Sequence, residues 1–184
     1  AIEFIERERE GPFFLYLAYT IPHADLQVPE LGEYADREWT ENKKKYAAMI
    51  SRLDRDVGKI IEKLRKTGLD KNTLVILTSD NGPHAEGGYD PDYFNSNGPL
   101  RGIKRDLYEG GIRVPMIAWW PGRISQGSIS NHPSAFWDMM PTFAELSGAN
   151  VPVDTDGISI VPELTGRTKS QKKHDYLYWE FHEQ

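Results

Sequence analysis

Apolar residues recur over positions 40–66 with the period of an α-helix. Their i, i+3, i+4, i+7 spacing puts them on one face of that helix, and they are Tyr46, Met49, Ile50, Leu53, Val57, Ile60, Ile61 and Leu64. Gly68 lies just beyond the last of them, as expected of a residue that ends a helix. Such a face is stable only when another layer of the fold covers it, so the rest of the chain must supply that layer.

Short apolar and β-branched segments predict strands on both sides of this helix. They fall at residues 13–17, 73–77, 114–120 and 176–181. A second helix is predicted at residues 135–146, with Met and Phe side chains inward. The alternation of strands and helices predicts an α/β fold with a largely parallel sheet flanked by helices.

The composition excludes several classes of function. The 184 residues carry 22 Lys and Arg against 28 Asp and Glu, a net charge of −6. Nucleic-acid-binding domains are usually basic, so we expect no nucleic-acid partner. The absence of cysteine excludes disulfides, thiolate zinc sites and a cysteine nucleophile within these residues. No apolar run reaches the ~18 residues of a membrane span, so we expect none.

The ends of the sequence indicate a piece of a longer protein. The chain opens on AIEFIERERE without an initiator methionine, which we interpret as the charged end of a surface helix, and it closes in the aromatic run YLYWEFHEQ. We therefore expect further sequence on both sides. The oligomeric state is left open.

Asp80 and Asn81 directly follow the strand predicted at residues 73–77. Ligands of open α/β sheets bind beyond the carboxyl ends of the strands, and these side chains offer two hard oxygen ligands suited to calcium or magnesium. The alternative is an Asx turn, because Asp-Asn-Gly is favoured turn chemistry. Two oxygens do not complete a site of about 6–8 ligands, so the others must come from elsewhere.

The Gly- and Pro-rich loop predicted at residues 85–111 has a length typical of functional segments. Its Lys104 could reach an oxyanion as a point charge, although most lysines are simply solvated. Arg101 could assist in substrate binding or pair with a carboxylate such as Glu109, and for Arg113 we favour the structural pairing.

Two histidines lie near the predicted strand ends. His23 follows Pro22 and could act as a general acid or a hydrogen-bond donor, or be an exposed loop residue without a task. His84 carries a weaker form of the same signal. The chain contains neither the G-x-S-x-G motif of serine hydrolases nor a phosphate-binding glycine loop.

Taken together, these segments resemble the sulfatase family, whose fold is similar to that of alkaline phosphatase. The resemblance covers almost the whole chain in the family's order: PFFLYL at 12–17 with Pro22-His23, YAAMISRLDRDVG at 46–58, LTSDNG at 77–82, LRGIK at 100–104, EGGIRVP at 109–115, DMMPT at 138–142, DGIS at 156–159 and YLYWE at 176–180.

The resemblance implies a role for each matched residue. Asp80 and Asn81 would bind calcium, Lys104 would hold a sulfate oxygen, and His23 would contact the leaving-group oxygen and protonate it. His84 and Arg101 would be weaker substrate contacts. These roles suit sulfuryl transfer, which needs cations around a spreading negative charge and an acid for a poor leaving group.

The chain departs from the family in lacking its nucleophile. That nucleophile is a formylglycine made within a Cys/Ser-x-Pro-x-Arg motif, which is absent here. In the family, this motif and an acidic pair of metal ligands lie upstream of the matched region. We therefore expect the isolated chain to be inactive and to bind calcium poorly.

The resemblance also implies a catalytic-domain portion at residues 1–170, a smaller C-terminal subdomain beginning at residues 171–184, and an exported location.

Two other functions stay open from the sequence. One is a phosphoesterase or phosphotransferase of the same superfamily, and the other is a module that binds sulfated glycans without hydrolysing them. For the substrate we favour a sulfated carbohydrate over a small aryl sulfate, because sugar rings stack on aromatic side chains. Packing is an equally open explanation for the aromatic residues concerned, which are Tyr89, Tyr93, Phe94 and Trp179.

Overall fold

The computed structural model describes residues 1–151 and 154–182, which divide into two units. The first unit comprises Ala1–Asp70, Thr78–Met116 and the described residues after position 180, and the second comprises Lys71–Leu77 and Ile117–Glu180. The subdomain division expected at residue 170 stays a prediction, and the last two residues of segment 171–184 lie outside the described part. None of the helices in the described ranges is both long and apolar enough to cross a membrane.

Seven helices and strands form the regular structure of the described residues. The helices are α1 (Ile2–Glu8), α2 (Glu41–Lys66), α3 (Glu109–Ile112), α4 (Met139–Ser147) and α5 (Val161–Leu164), and the strands are β1 (Val75–Thr78) and β2 (Met116–Trp119). Short 3-10 turns lie between them, at Gly32–Tyr34, Asp70–Asn72, Glu86–Gly88, Phe136–Asp138 and Thr168–Ser170.

Helix α2 organises the first unit, and its prediction over residues 40–66 is confirmed. Its inward face buries Ala48, Met49 and Leu64. Met49 forms an apolar cluster with Leu26 and Tyr89, which come from the loops that carry the candidate site. The packing of α2 therefore fixes the position of those loops.

The N-terminal residues form a helix, as the sequence indicated. This helix packs against α2. Ile5 of α1 is fully buried, and Glu6 makes an ion pair with Lys63 of α2. This ion pair lowers the pKa of the Glu6 carboxyl, chiefly through the hydrogen bond from Lys63.

Two of the four predicted strands are confirmed. β1 and β2 lie within or one residue beyond the predicted ranges 73–77 and 114–120, and they pair as a two-stranded sheet. The two described strands leave the expected largely parallel sheet as a prediction. The loop predicted at residues 85–111 is confirmed as mostly irregular.

The strands predicted at residues 13–17 and 176–181 are wrong for the described structure. Both segments are irregular, and each exposes an aromatic side chain, with 66% of Phe14 and 80% of Tyr176 accessible. A strand needs a neighbour to complete its backbone hydrogen bonds, and no described strand lies beside either segment.

The helix predicted at residues 135–146 is confirmed as a 3-10 turn followed by α4. Its inward face is only partly the one expected, because Met139 and Phe143 are half-buried, whereas Phe136 and Met140 are exposed and Thr142 is buried. The reason is the buried carboxylate of Asp138, which accepts hydrogen bonds from the Ala135 N–H (2.8 Å), the Ile158 N–H (2.7 Å) and His174 Nε2 (2.7 Å). A buried charge must be satisfied in this way, and meeting these donors fixes how the helix is turned.

Neighbouring residues of α2 allow a direct test of this packing. Met49 is 1% exposed, whereas Ile50, which the sequence pattern placed on the same apolar face, is 41% exposed. We expect Met49→Ala to lower the free energy of unfolding by about 2–5 kcal/mol, because it leaves a cavity. Ile50→Ala should change it by no more than about 0.5 kcal/mol. Urea unfolding followed by circular dichroism measures both, and equal losses would contradict the buried face described.

Candidate functional site

Asp80 and Asn81 lie in a tight polar turn that follows the end of β1. Thr78 Oγ1 donates a hydrogen bond to the Pro115 carbonyl at 3.0 Å, and Ser79 Oγ donates to the Asn81 carbonyl at 3.2 Å. The Asn81 amide donates from Nδ2 to the Gly82 carbonyl at 3.1 Å. This bond uses the amide nitrogen and leaves the Asn81 Oδ1 oxygen available as a ligand.

The oxygens at this turn suit a hard divalent cation. The Asp80 carboxylate is exposed and makes no hydrogen bond or ion pair to the rest of the described chain. With Asn81 Oδ1 it offers a charged and a neutral oxygen, the type of ligand that calcium prefers. The described residues contain no group of three or more His, Asp or Glu side chains placed to hold a metal. The donor set therefore fits calcium as part of a larger site.

Backbone hydrogen bonds join this turn to the loop that carries Lys104. The Gly82 N–H donates to the Gly111 carbonyl at 2.9 Å, and the Lys104 N–H donates to the Pro83 carbonyl at 2.8 Å. A Cβ atom on Gly82 would lie 1.8 Å from the Gly110 carbonyl oxygen. The two loops approach so closely that only glycine fits between them.

Lys104 and His23 meet although they lie 81 residues apart in sequence, with Lys104 Nζ 3.2 Å from His23 Nε2. His23 Nδ1 lies 2.6 Å from the Ala24 carbonyl. A carbonyl can only accept, so Nδ1 carries a proton and the neutral ring accepts from Lys104 at Nε2. The structure thus brings together two of the residues expected to contact substrate.

Glu86 completes this cluster and was not identified from the sequence. Its Oε2 atom lies 3.2 Å from Lys104 Nζ and 3.7 Å from His23 Nε2, and its Oε1 atom lies 2.6 Å from Arg105. The hydrogen bond from Lys104 is the main reason that the pKa of the Glu86 carboxyl lies below its usual range. The Glu-Gly-Gly sequence in a long loop was the only local signal available.

His84 lies beneath the cluster and is only 6% exposed. The Glu86 N–H donates to its Nδ1 atom at 3.0 Å, so the proton is on Nε2, which lies 3.3 Å from the Pro22 carbonyl. Both ring nitrogens are therefore engaged by the backbone. This arrangement favours a supporting role for His84 over the substrate contact considered from the sequence.

Stacked aromatic rings support His84 from below. The rings of Tyr46 and Tyr89 stack with centroids 3.7 Å apart, and the Tyr89 centroid lies 5.5 Å from that of His84. Burial raises the pKa of the Tyr46 hydroxyl well above its ordinary value. These stacked, uncharged rings connect helix α2 to His84.

The arginines are held by local partners. The Arg101 guanidinium lies 3.8 Å from the centre of the Tyr108 ring, and its expected role in substrate binding stays a prediction. Arg113 pairs with Glu109 at 3.4 Å, in agreement with the structural role favoured for it.

Comparison with known proteins identifies the family of the chain. The family model described as Sulfatase matches residues 1–149. The chain belongs to the sulfatase family. It is 36% identical to mouse (Mus musculus) N-acetylgalactosamine-6-sulfatase over 89% of this chain and 31% of the relative, and 36% identical to rat (Rattus norvegicus) steryl-sulfatase over 96% and 30%.

Solved sulfatase structures have the same fold. Ps i-CgsB, solved in complex with k-i-k-neocarrahexaose, superposes with a TM-score of 0.78 at 37% identity, covering 88% of this chain and 36% of that one. The chain thus spans about a third of the length of the sulfatases that it matches.

The close approach of the two loops can be tested with alanine at two glycines. A Cβ on Gly110 would lie 2.1 Å from the Gly102 carbonyl oxygen, whereas one on Gly58 in α2 would meet no atom within 4 Å. We expect Gly110→Ala to destabilise the chain by about 1–3 kcal/mol and Gly58→Ala to stabilise it by about 0.5–1 kcal/mol. Thermal unfolding distinguishes the two, and a neutral Gly110→Ala would refute the interlocked loops.

Proposed function

We propose that this chain is part of a sulfatase that hydrolyses the sulfate ester of a carbohydrate with the assistance of calcium. The observation that supports this most is the meeting of Lys104 and His23 at 3.2 Å, with the Lys104 loop hydrogen-bonded to the residues that directly follow Asp80 and Asn81. Membership of the sulfatase family gives the reaction class. The nucleophile is proposed to come from sequence outside this chain.

Lys104 supplies the positive charge for the sulfate group. Its ammonium has three hydrogen-bond donors, and Glu86 and His23 take two of them. The third is available for a sulfate oxygen. A fixed donor aimed at the charge that develops in the transition state is worth about 100- to 1000-fold in kcat.

His23 acts as the general acid that protonates the leaving group. Its ring is held through Nδ1 by the Ala24 carbonyl, so Nε2 is the atom that faces the site. Once it carries a proton, Nε2 can donate to the ester oxygen as the bond to sulfur breaks. Such general acid catalysis contributes about 100- to 10,000-fold.

Asp80 and Asn81 would hold the calcium ion through one carboxylate and one amide oxygen. Bound there, calcium supplies positive charge beside a sulfate oxygen. The remaining ligands, of about 6–8 in all, are proposed to come from the same outside sequence as the nucleophile.

A sulfated carbohydrate is the substrate class that we favour. One relative is named for a sulfated sugar, and Ps i-CgsB was solved with a compound named as a hexasaccharide. The Tyr93 ring is 45% exposed, and Lys43 Nζ lies 3.4 Å from its centre. An accessible ring beside a cation suits a sulfated sugar, whereas the Tyr89 ring is buried.

The activity test uses the protein with its upstream coding sequence, in which we expect a Cys/Ser-x-Pro-x-Arg motif. We predict turnover of 4-nitrophenyl sulfate in preference to 4-nitrophenyl phosphate. Lys104→Ala should lower kcat by about 100- to 1000-fold. The control Lys66→Ala, on the exposed end of α2, should leave kcat unchanged.

Other outcomes of this assay would assign the protein to a different functional class. Preference for the phosphate ester, with a Ser or Thr nucleophile upstream, would indicate a phosphoesterase. Tight binding of sulfated glycans without turnover would indicate a binding module.

The isolated 184-residue chain gives a second test. We expect no turnover of 4-nitrophenyl sulfate, because the nucleophile motif is absent. We expect calcium to bind with a Kd on the order of 1 mM, as in weak sites with few charged ligands. Titration calorimetry should show that Asp80→Ala removes this binding and that Asp54→Ala, on helix α2, does not. Measurable turnover by this chain would overturn the proposed division of the site.

A further inference from the structure

The Glu86 carboxylate lies close to three cationic or basic side chains of the site. One oxygen faces Lys104 at 3.2 Å and His23 at 3.7 Å, and the other binds Arg105 at 2.6 Å. Lys104 is only 19% exposed, so its ammonium has limited access to water. An isolated surface ion pair contributes little to stability, but a carboxylate shared by three partners fixes their relative positions.

The backbone of Glu86 is itself held in place. Its N–H donates to buried His84, whose other ring nitrogen contacts the Pro22 carbonyl, next to His23. The Lys104 backbone is tied to Pro83 in the same loop. One short segment therefore anchors both substrate-contacting residues, and the Glu86 side chain joins them at the site.

We propose that Glu86 is a positioning residue, whose carboxylate holds the Lys104 ammonium beside His23 and aims its remaining donor at the sulfate group. This inference rests on the proposed function, because it assigns Lys104 and His23 their roles in sulfate ester hydrolysis. Glu86 acts through these two residues and does not contact the reacting atoms.

Charge and hydrogen bonding explain why a carboxylate is needed. Without it, the Lys104 ammonium would lose the carboxylate that it shares with Arg105, and the flexible lysine side chain would no longer be held beside His23. The carboxylate also lies 3.7 Å from His23 Nε2, where its charge attracts the protonated form of the ring. A neutral amide preserves the shape of Glu86 but loses the charge, and a charge-assisted hydrogen bond is roughly twice as strong as a neutral one.

The first test is the kinetics of Glu86→Gln in the full-length protein with 4-nitrophenyl sulfate. A displacement of about 1 Å at a catalytic group can cost on the order of 100-fold in rate. We expect a loss of that size in kcat with KM nearly unchanged, the pattern of an interaction that matters in the transition state. The matched control is Glu62→Gln, which removes the carboxylate of an exposed Glu–Lys pair on α2 and should change neither constant.

The second test needs no activity and uses the 184-residue chain. Lysine acetylation by acetic anhydride, read by mass spectrometry, reports how firmly each ammonium is held. We expect Glu86→Gln to speed the labelling of Lys104 by about 5-fold, the change produced by losing a contact of roughly 1 kcal/mol. Glu62→Gln should leave the rate at Lys104 unchanged. Circular dichroism verifies that both variants are folded.

The outcomes separate this inference from the proposed function. Normal kcat in Glu86→Gln, or unchanged labelling of Lys104, overturns the positioning role while sulfate turnover by the parent protein stands. A parent protein that fails to hydrolyse sulfate esters overturns the proposed function itself, and the positioning role falls with it. Slower catalysis together with faster labelling of Lys104 supports both.

Discussion

The candidate site depends on the backbone hydrogen bonds that join the turn after β1 to the loop of residues 101–111. Gly82 donates to the Gly111 carbonyl and Lys104 donates to the Pro83 carbonyl, at 2.9 and 2.8 Å. Side chains at the glycine positions would collide with carbonyl oxygens, so no other residue type allows this approach. The consequence is that the backbone segments carrying Asp80, Asn81 and Lys104 are joined directly to each other by hydrogen bonds.

Rigid backbone alone does not orient a lysine, because four rotatable bonds separate its ammonium from the chain. The structure restricts this freedom with charge, through the Glu86 carboxylate shared by Lys104 and Arg105. Beneath it, His84 and the stacked rings of Tyr46 and Tyr89 provide an uncharged support. Preorganised charge in a fixed frame is what electrostatic catalysis requires, since no energy is then spent on reorienting groups during the reaction.

Local patterns predicted part of this structure well. Helix α2 and strands β1 and β2 carry their signals within the segments themselves, whereas the segments at residues 13–17 and 176–181 have strand composition but no described neighbour to pair with. Asp80, Asn81, Lys104 and His23 were selected through the family resemblance, and the structure brings Lys104 and His23 together. Glu86 was missed because its role depends on contacts to residues 18 and 63 positions away. No pattern in the sequence around Glu86 indicates contacts at those separations.

The charges within these residues also explain why the proposed reaction needs sequence from outside the chain. Glu86 contacts both Lys104 and Arg105, and calcium bound through Asp80 and neutral Asn81 would retain one of its two positive charges. A sulfate ester carries one negative charge, and the transition state spreads more negative charge over its oxygens. The positive charge left by this count attracts the sulfate, but two oxygen ligands hold calcium weakly. Additional carboxylates would strengthen calcium binding while reducing that positive charge. Under the proposed function, the upstream sequence therefore sets calcium affinity, and Lys104, held by Glu86, keeps a positive charge directed at the substrate.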